Sequence, residues 1–285
     1  MTLAAQSDFL LGMAAASRQR DQRARATLSD ARQRSLLLSI DAPRPLQLMD
    51  GGFDVIAEIK KRSPAEGELA QRLVSPAEQA GAYVGGGAVA LSVLTEPEQF
   101  QGSLDDLHDV VAVAADVPVM RKDFLVSRYQ VREARLAGAS GVLLIAAMLD
   151  AGQLEAMLEA SLELNMYALV EIFDEADMES CMSVLEKLGP ARDGTRCNFL
   201  LGVNCRDLHT LQVNFGHFAA MAPYMPADVP LVAESGLTDF AQATVLAELG
   251  YSLALVGTTL MRSDDPSSAV SAIRAAGNAG VATCS

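Results

Sequence analysis

Eight short apolar runs recur after residue 50: Val55–Ile59, Ala88–Thr95, Val117–Met120, Gly141–Ala147, Tyr167–Ile172, Phe199–Asn204, Pro230–Glu234 and Ser252–Gly257. Each is rich in Val, Ile, Leu or Ala without clean alternation of apolar and polar positions, which is how strands covered on both faces read. Between them the apolar period lengthens to that of a helix. Ser103–Ala115 repeats Leu104, Leu107, Val110 and Val111. Asp150–Asn165 sets Leu154, Met157, Leu158 and Leu162 on one face, Asp174–Leu188 sets Met178, Cys181, Met182 and Leu185, and Asp239–Gly250 sets Ala243, Val245, Leu246 and Leu249. Asp or Ser at the starts and Gly or Asn at the stops supply caps. Eight strand–helix alternations in about 220 residues predict a (β/α)₈ TIM barrel. The competing architecture is a doubly wound open sheet. No Gly-x-Gly-x-x-Gly follows the first strand, which weakens a dinucleotide-binding reading.

Residues 1–50 carry two further helical patterns, Ser7–Arg20 and Leu28–Ser39, and then a linker with Pro43 and Pro45. They predict an N-terminal helical extension packed on the barrel, with residues 51–285 forming a single barrel domain. Arg18, Arg20, Arg23 and Arg25 are expected to make a solvated face. The short apolar stretch Phe9–Ala16 has no Lys or Arg before it and abuts Asp8, so it lacks the charged leader of a signal peptide and reads as an amphipathic helix of a cytoplasmic protein.

Composition narrows the function. The net charge of −14 opposes a nucleic-acid-binding surface, and no apolar run approaches the ~18 residues of a membrane span. Cys181, Cys197, Cys205 and Cys284 show no Cys-x-x-Cys spacing, and His108, His209 and His217 form no metal-ligand pattern, so no metal site is expected. The expected partner is a small molecule, and the expected assembly a monomer or weak homodimer. Lysine is scarce: of the four, Lys60, Lys61 and Lys122 lie at or near strand ends and only Lys187 on a helix. An ammonium beside buried strands needs a partner, so this placement points to a concave site that binds an anion and moves protons.

In a barrel, that site lies at the C-terminal strand ends. The first strand offers Glu58, Lys60 and Ser63, and the second is followed by Phe100. The third offers Lys122, Asp123 and Phe124, the fifth Glu171, and the sixth Asn204 and Arg206. The seventh ends in Glu234-Ser235-Gly236 and the eighth in Gly257-Thr258. Glu58 and Lys60 flank Ile59, so both face the barrel interior. Lys122 and Glu171 can meet across the mouth as proton donor and acceptor, or as a structural ion pair. Small residues after the seventh and eighth strands match the usual phosphate site of barrels, or simply make tight turns. Phe100 and Phe124 could sandwich an aromatic ring, or belong to the core.

Together these residues resemble the indole-3-glycerol phosphate synthase family. The resemblance runs through Ile56-Ala57-Glu58-Ile59-Lys60-Lys61-Arg62-Ser63-Pro64, Ser92-Val93-Leu94-Thr95-Glu96 and Phe100-Gln101-Gly102-Ser103. It continues in Arg121-Lys122-Asp123-Phe124, Leu169-Val170-Glu171-Ile172, Gly202-Val203-Asn204 and Arg206-Asp207-Leu208, and ends in Ala233-Glu234-Ser235-Gly236 and Leu260-Met261-Arg262. It implies a substrate in which anthranilate carries a 1-deoxyribulose 5-phosphate chain, closed to an indole with loss of CO₂ and water and without a cofactor. It also implies roles: Lys122 as general acid, alone or sharing that duty with Lys60; Glu171 as base for dehydration; Lys60 at the substrate carboxylate; Glu58 and Asn204 holding the network. Ser235, Gly236, Gly257 and Thr258 would take the phosphate, Phe100 and Phe124 would flank the ring, and Ser63, Arg206 and Glu234 would touch substrate.

Three departures stand out. Cys205 follows Asn204 where the family often has Asn, Thr258-Thr259 follows Gly257 where Glu-Ser or Ser-Ser is usual, and Gly189–Asn198 is longer than usual and expected on the face away from the chemistry. Other readings remain: a paralogue making the same product for another indole pathway, a non-catalytic phosphate-binding barrel, or a sister isomerase acting on phosphoribosyl-anthranilate. The last usually has Cys on its first strand, where this chain has Glu58 and Lys60.

Overall fold

The computed structural model describes residues 3–48, 50–64, 67–68, 75–207, 210 and 212–284. Eight parallel strands close into a barrel. They are β1 (Asp54–Ile59), β2 (Ala90–Leu94), β3 (Val119–Lys122), β4 (Gly141–Ile145), β5 (Tyr167–Ile172), β6 (Phe199–Asn204), β7 (Leu231–Glu234) and β8 (Leu253–Val256). Each pairs with its sequence neighbours, and β8 pairs with β1 to complete the ring. The expected barrel, with a helix preceding it, is what the chain forms.

The helices are α1 (Leu3–Thr27), α2 (Asp30–Leu37), α3 (Pro76–Gly85), α4 (Leu104–Val113), α5 (Arg128–Leu136), α6 (Ala151–Glu163), α7 (Glu175–Lys187), α8 (His217–Met221), α9 (Gln242–Glu248), α10 (Thr258–Met261) and α11 (Pro266–Cys284). Side-chain caps explain where several begin. Ser103, Ser127 and Asp174 each accept a backbone N–H three residues on, and Ser75–Glu78 and Asp150–Gln153 close reciprocal capping boxes. The helix expected from Asp239 starts later, at Gln242. Gln242 Oε1 instead accepts the N–H groups of Thr238 and Asp239 and holds them as a turn. α11 locks the ring: Arg274 pairs with Asp54 at 2.8 Å, and Asn278 exchanges hydrogen bonds with both backbone groups of Phe53.

Two apolar layers follow from the strand alternation. Val55, Ala57 and Ile59 face outward to the helices, while Ile56 faces inward with Met120, Leu143, Ile145, Leu169, Leu200, Val232, Leu253 and Leu255. The inner cluster continues to Leu46, Leu48 and Cys197 at the N-terminal mouth. There the extra segment before β6 folds as a hairpin, Arg192–Asp193 on Arg196–Cys197, and Leu46–Gln47 adds a third strand. This plug stands at the opposite mouth from Lys122 and Glu171. The same inner cluster ends on Leu10 and Met13 of α1 at the C-terminal mouth.

The arginines of α1 do not all make a solvated face. Arg18 and Arg23 are exposed, but Arg25 lies 4.6 Å from the Tyr129 ring centroid and pairs with Asp21 and Asp30, and Arg20 reaches buried acids at the mouth. The reason is packing: α1 lies against α5 and the β3–α5 loop, and these two arginines face that contact. Among the described residues, no helix is long and apolar enough to cross a membrane.

Candidate active site

A cavity of about 830 Å³ opens at the C-terminal ends of the strands, a size usual for small-ligand sites. Every candidate residue of the sequence analysis lines it: Glu58, Lys60, Ser63, Phe100, Lys122, Phe124, Glu171, Asn204, Arg206, Glu234, Ser235, Gly236, Gly257 and Thr258. His209 lies outside the described residues. Among those described, no group of three or more His, Cys, Asp or Glu is arranged to hold a metal.

Lys122 sits at the centre. Its Nζ is 3.2 Å from Glu171 Oε2 and 2.9 Å from Glu234 Oε2. Burial alone would lower the lysine pKa, but Glu234, Glu171 and Glu58 outweigh it and hold the ammonium above its ordinary range. Glu234 behaves in the opposite sense. Burial raises its carboxyl, Lys122 only partly offsets this, and Glu171 adds repulsion, so the pKa is pushed up to about 8. Its Oε1 has no hydrogen-bond partner within the protein. Glu234 therefore favours its protonated form more than an exposed carboxyl does, beside a lysine and a second carboxylate.

That preference has a consequence for stability. The folded state binds the proton more tightly than the unfolded chain, whose ordinary value is 4.5. The resulting stabilisation is full below that pH and is lost as pH rises through about 8. Glu234→Gln should therefore show a shallower decline of Tm across this window than the parent protein, measured by thermal unfolding at several pH values.

A second pair lies at the C-terminal end of β1. Lys60 Nζ meets Glu58 Oε1 at 2.7 Å. Burial raises the Glu58 pKa, but Lys60 and Lys122 more than reverse it and keep the carboxylate ionised. This pair explains Gly257. A Cβ there would stand 2.3 Å from Glu58 Oε1 and 3.0 Å from Lys60 Nζ. The glycine thus makes room for the ion pair, which is a different reason from close approach of a phosphate. At Gly236, φ is +77° and a Cβ would meet Cys205 Sγ at 2.7 Å and Val213 Cγ1 at 2.8 Å. The loop after β6 therefore packs over the loop after β7. Ser235 also has positive φ, +69°, a conformation that costs a non-glycine residue on the order of 1–2 kcal/mol. Thr259 Oγ1 donates to Leu237 O and ties the loops after β7 and β8 together. Asn204 Oδ1 accepts the Arg206 N–H at 3.0 Å and shapes the turn after β6.

The aromatic residues differ from expectation. Phe100 and Phe124 touch each other, with ring centroids 6.1 Å apart and planes inclined by 35°, so no slot for a ring lies between them. Phe9 of α1 stands edge-on to Phe124 at 6.0 Å. The three rings form one continuous wall, because Phe124 is buried in the inner cluster and draws its neighbours onto itself. A substrate ring can lie along this wall but not inside it. Sequence reasoning missed Phe9, whose only signal was an aromatic residue on the apolar face of the first helix.

The chain was compared with known proteins. A family model described as indole-3-glycerol phosphate synthase matches residues 14–273. A protein of that name from Mycolicibacterium smegmatis is 42% identical over 261 residues, covering 87% of this chain and 91% of the relative. One from Mycobacterium leprae is 43% identical over 240 residues, covering 83% of each. Among solved structures, 3-hexulose-6-phosphate synthase from Salmonella typhimurium superimposes with a TM-score of 0.60 at 13% identity, over 79% of this chain and 98% of that one. At that identity the likeness shows the fold alone. The match in sequence over most of both chains goes further: this chain belongs to the indole-3-glycerol phosphate synthase family.

Proposed function

We propose that the chain converts 1-(2-carboxyphenylamino)-1-deoxyribulose 5-phosphate to indole-3-glycerol phosphate, the ring closure of tryptophan biosynthesis, with Lys122 as general acid and Glu171 as general base. The observation that carries the assignment of roles is the placement of one buried ammonium between two glutamates on the cavity floor. The ring carbon bearing the carboxylate attacks the ketone carbon, and Lys122 donates a proton to the ketone oxygen as the new C–C bond forms. The C–CO₂ bond then breaks and returns its electrons to the ring. In the last step Glu171 takes a proton from the former chain methylene while Lys60 gives one to the hydroxyl, which leaves as water. Lys60, held by Glu58, faces the substrate carboxylate. Asn204 and Glu234 keep the leaving hydroxyl and Lys122 in place, with Ser63 and Arg206 contacting substrate at the rim. The anthranilate ring lies along the wall of Phe9, Phe100 and Phe124. The phosphate takes the Ser235-Gly236 and Gly257-Thr258 loops. Lys60, Lys122 and Arg206 are cations brought to the cavity for an anionic substrate in a protein of net charge −14.

Mixing the purified protein with the substrate and following indole fluorescence tests the activity. Binding without any fluorescence would instead favour a phosphate-ligand-binding barrel. The glycine geometry adds a sharper expectation for the phosphate loops. Gly236→Val should raise KM strongly by displacing the loop after β6. Gly257→Val should also lower kcat, because it pushes Glu58 and Lys60 apart. Steady-state kinetics separates the two. A Gly257→Val variant with unchanged kcat would show that the Glu58–Lys60 pair is not needed for turnover.

A further inference from the structure

One arginine of α1 reaches into the barrel mouth. Arg20 donates to Asp123 Oδ1 at 2.7 Å and lies 3.5 Å from Glu96 Oε1. The two acceptors come from different strand ends, 103 and 76 positions away in the chain, and both carboxylates are buried. Each organises a loop of the cavity. Glu96 follows β2 and gathers the N–H groups of Glu98, Gln99 and Phe100 at 3.0, 2.6 and 3.2 Å, so it sets the turn that ends in Phe100. Asp123 directly follows Lys122. Its Oδ1 accepts the Phe124 N–H at 2.8 Å, and its Oδ2 accepts from Thr95 Oγ1 at 2.8 Å and from Arg121 at 3.0 Å.

These contacts make Arg20 a tie between the two loops from outside the barrel, added to the Thr95–Asp123 hydrogen bond that joins them from within. The same helix grips the β3–α5 loop twice more. Gln130 Nε2 donates to Ser17 Oγ at 2.9 Å while Gln130 Oε1 accepts the Val126 N–H at 2.8 Å, and Ser127 Oγ donates to Asp21 Oδ1 at 2.6 Å. A planar guanidinium can serve two acceptors held at fixed angles, whereas an ammonium acts as a point charge.

We propose that Arg20 is a positioning residue for the ring closure: from the N-terminal helix, through Glu96 and Asp123, it holds the aromatic wall and the backbone beside Lys122 in register with the substrate. The inference rests on the reading of Lys122 and the aromatic wall given above.

The test uses the full chain with Arg20→Ala, Arg20→Lys and, as a control at an exposed arginine of the same helix, Arg18→Ala. Thermal unfolding, kcat and KM are measured for each. Arg20→Ala should lose about 10–100-fold in kcat/KM, the scale of a small misplacement caused from a distance, with the larger share in KM. Arg20→Lys should recover part of that loss, and Arg18→Ala should match the parent. A folded Arg20→Ala variant with parental kcat and KM overturns the inference, even if its Tm is lower, because Arg20 would then only staple the helix down. Should Arg20→Ala not fold, Arg20→Lys decides: a raised KM supports the proposal and a parental KM overturns it. Failure of the underlying site reading would appear elsewhere, as turnover retained by Lys122→Ala.

Discussion

Lys122→Ala should abolish turnover while leaving substrate affinity nearly unchanged. Loss of a general acid typically costs ~10²–10⁴-fold in rate. The geometry argues that Lys122 cannot be replaced by a neighbour. Lys60 is already engaged by Glu58 at 2.7 Å. Three glutamates raise the affinity of Lys122 for its proton, so in the free protein it is a reluctant acid. The substrate ketone changes this as bond formation turns its oxygen into an alkoxide, a much stronger proton acceptor than a carboxylate. Proton donation and charge stabilisation then coincide at one atom, so the interaction strengthens in the transition state and little is lost from ground-state binding. The measurement is kcat by indole fluorescence beside the affinity for the reaction product, with circular dichroism to confirm folding. More than about a tenth of the parental kcat would remove Lys122 from the acid role.

The barrel was legible because its strands bury both faces, so eight apolar runs stand out against helices with clear caps. The charged strand ends were legible for a related reason. A lysine or glutamate at the end of an apolar run has few bland explanations, and Lys122, Glu171, Glu58 and Lys60 all announce themselves that way. The pairings were harder. Nothing in the chain says that Glu234 rather than Glu58 shares Lys122 with Glu171, since that depends on how the strands tilt around the closed ring. Arg20 and Phe9 were less legible still. Their partners are Asp123, Glu96 and Phe124, around a hundred positions away, and an arginine on an amphipathic helix ordinarily reads as solvated. The glycines after β7 and β8 could be flagged, but the direction in which a missing Cβ would point could not. The structure turns those directions toward Cys205 and Val213 and toward Glu58 and Lys60.

Glu171→Gln should separate decarboxylation from dehydration. The amide keeps the shape of the buried side chain but cannot take a proton, so the step that needs a base should slow by ~10²–10⁴-fold. The earlier step should survive, for an electrostatic reason. Removing the Glu171 charge also removes the repulsion that helps to raise the Glu234 pKa. Glu234 then ionises more readily and continues to hold Lys122 from 2.9 Å. With Lys122 still charged and in place, the ring carbon can attack the ketone and CO₂ can leave. The variant should therefore release CO₂ well ahead of any indole fluorescence, and an intermediate that has lost CO₂ but kept its hydroxyl should accumulate. Rapid-quench measurement of CO₂ beside fluorescence would show it. Indole formed at the parental rate would mean that Glu171 is not a required base. Simultaneous loss of CO₂ release and indole would place Glu171 before decarboxylation and overturn its assignment to dehydration.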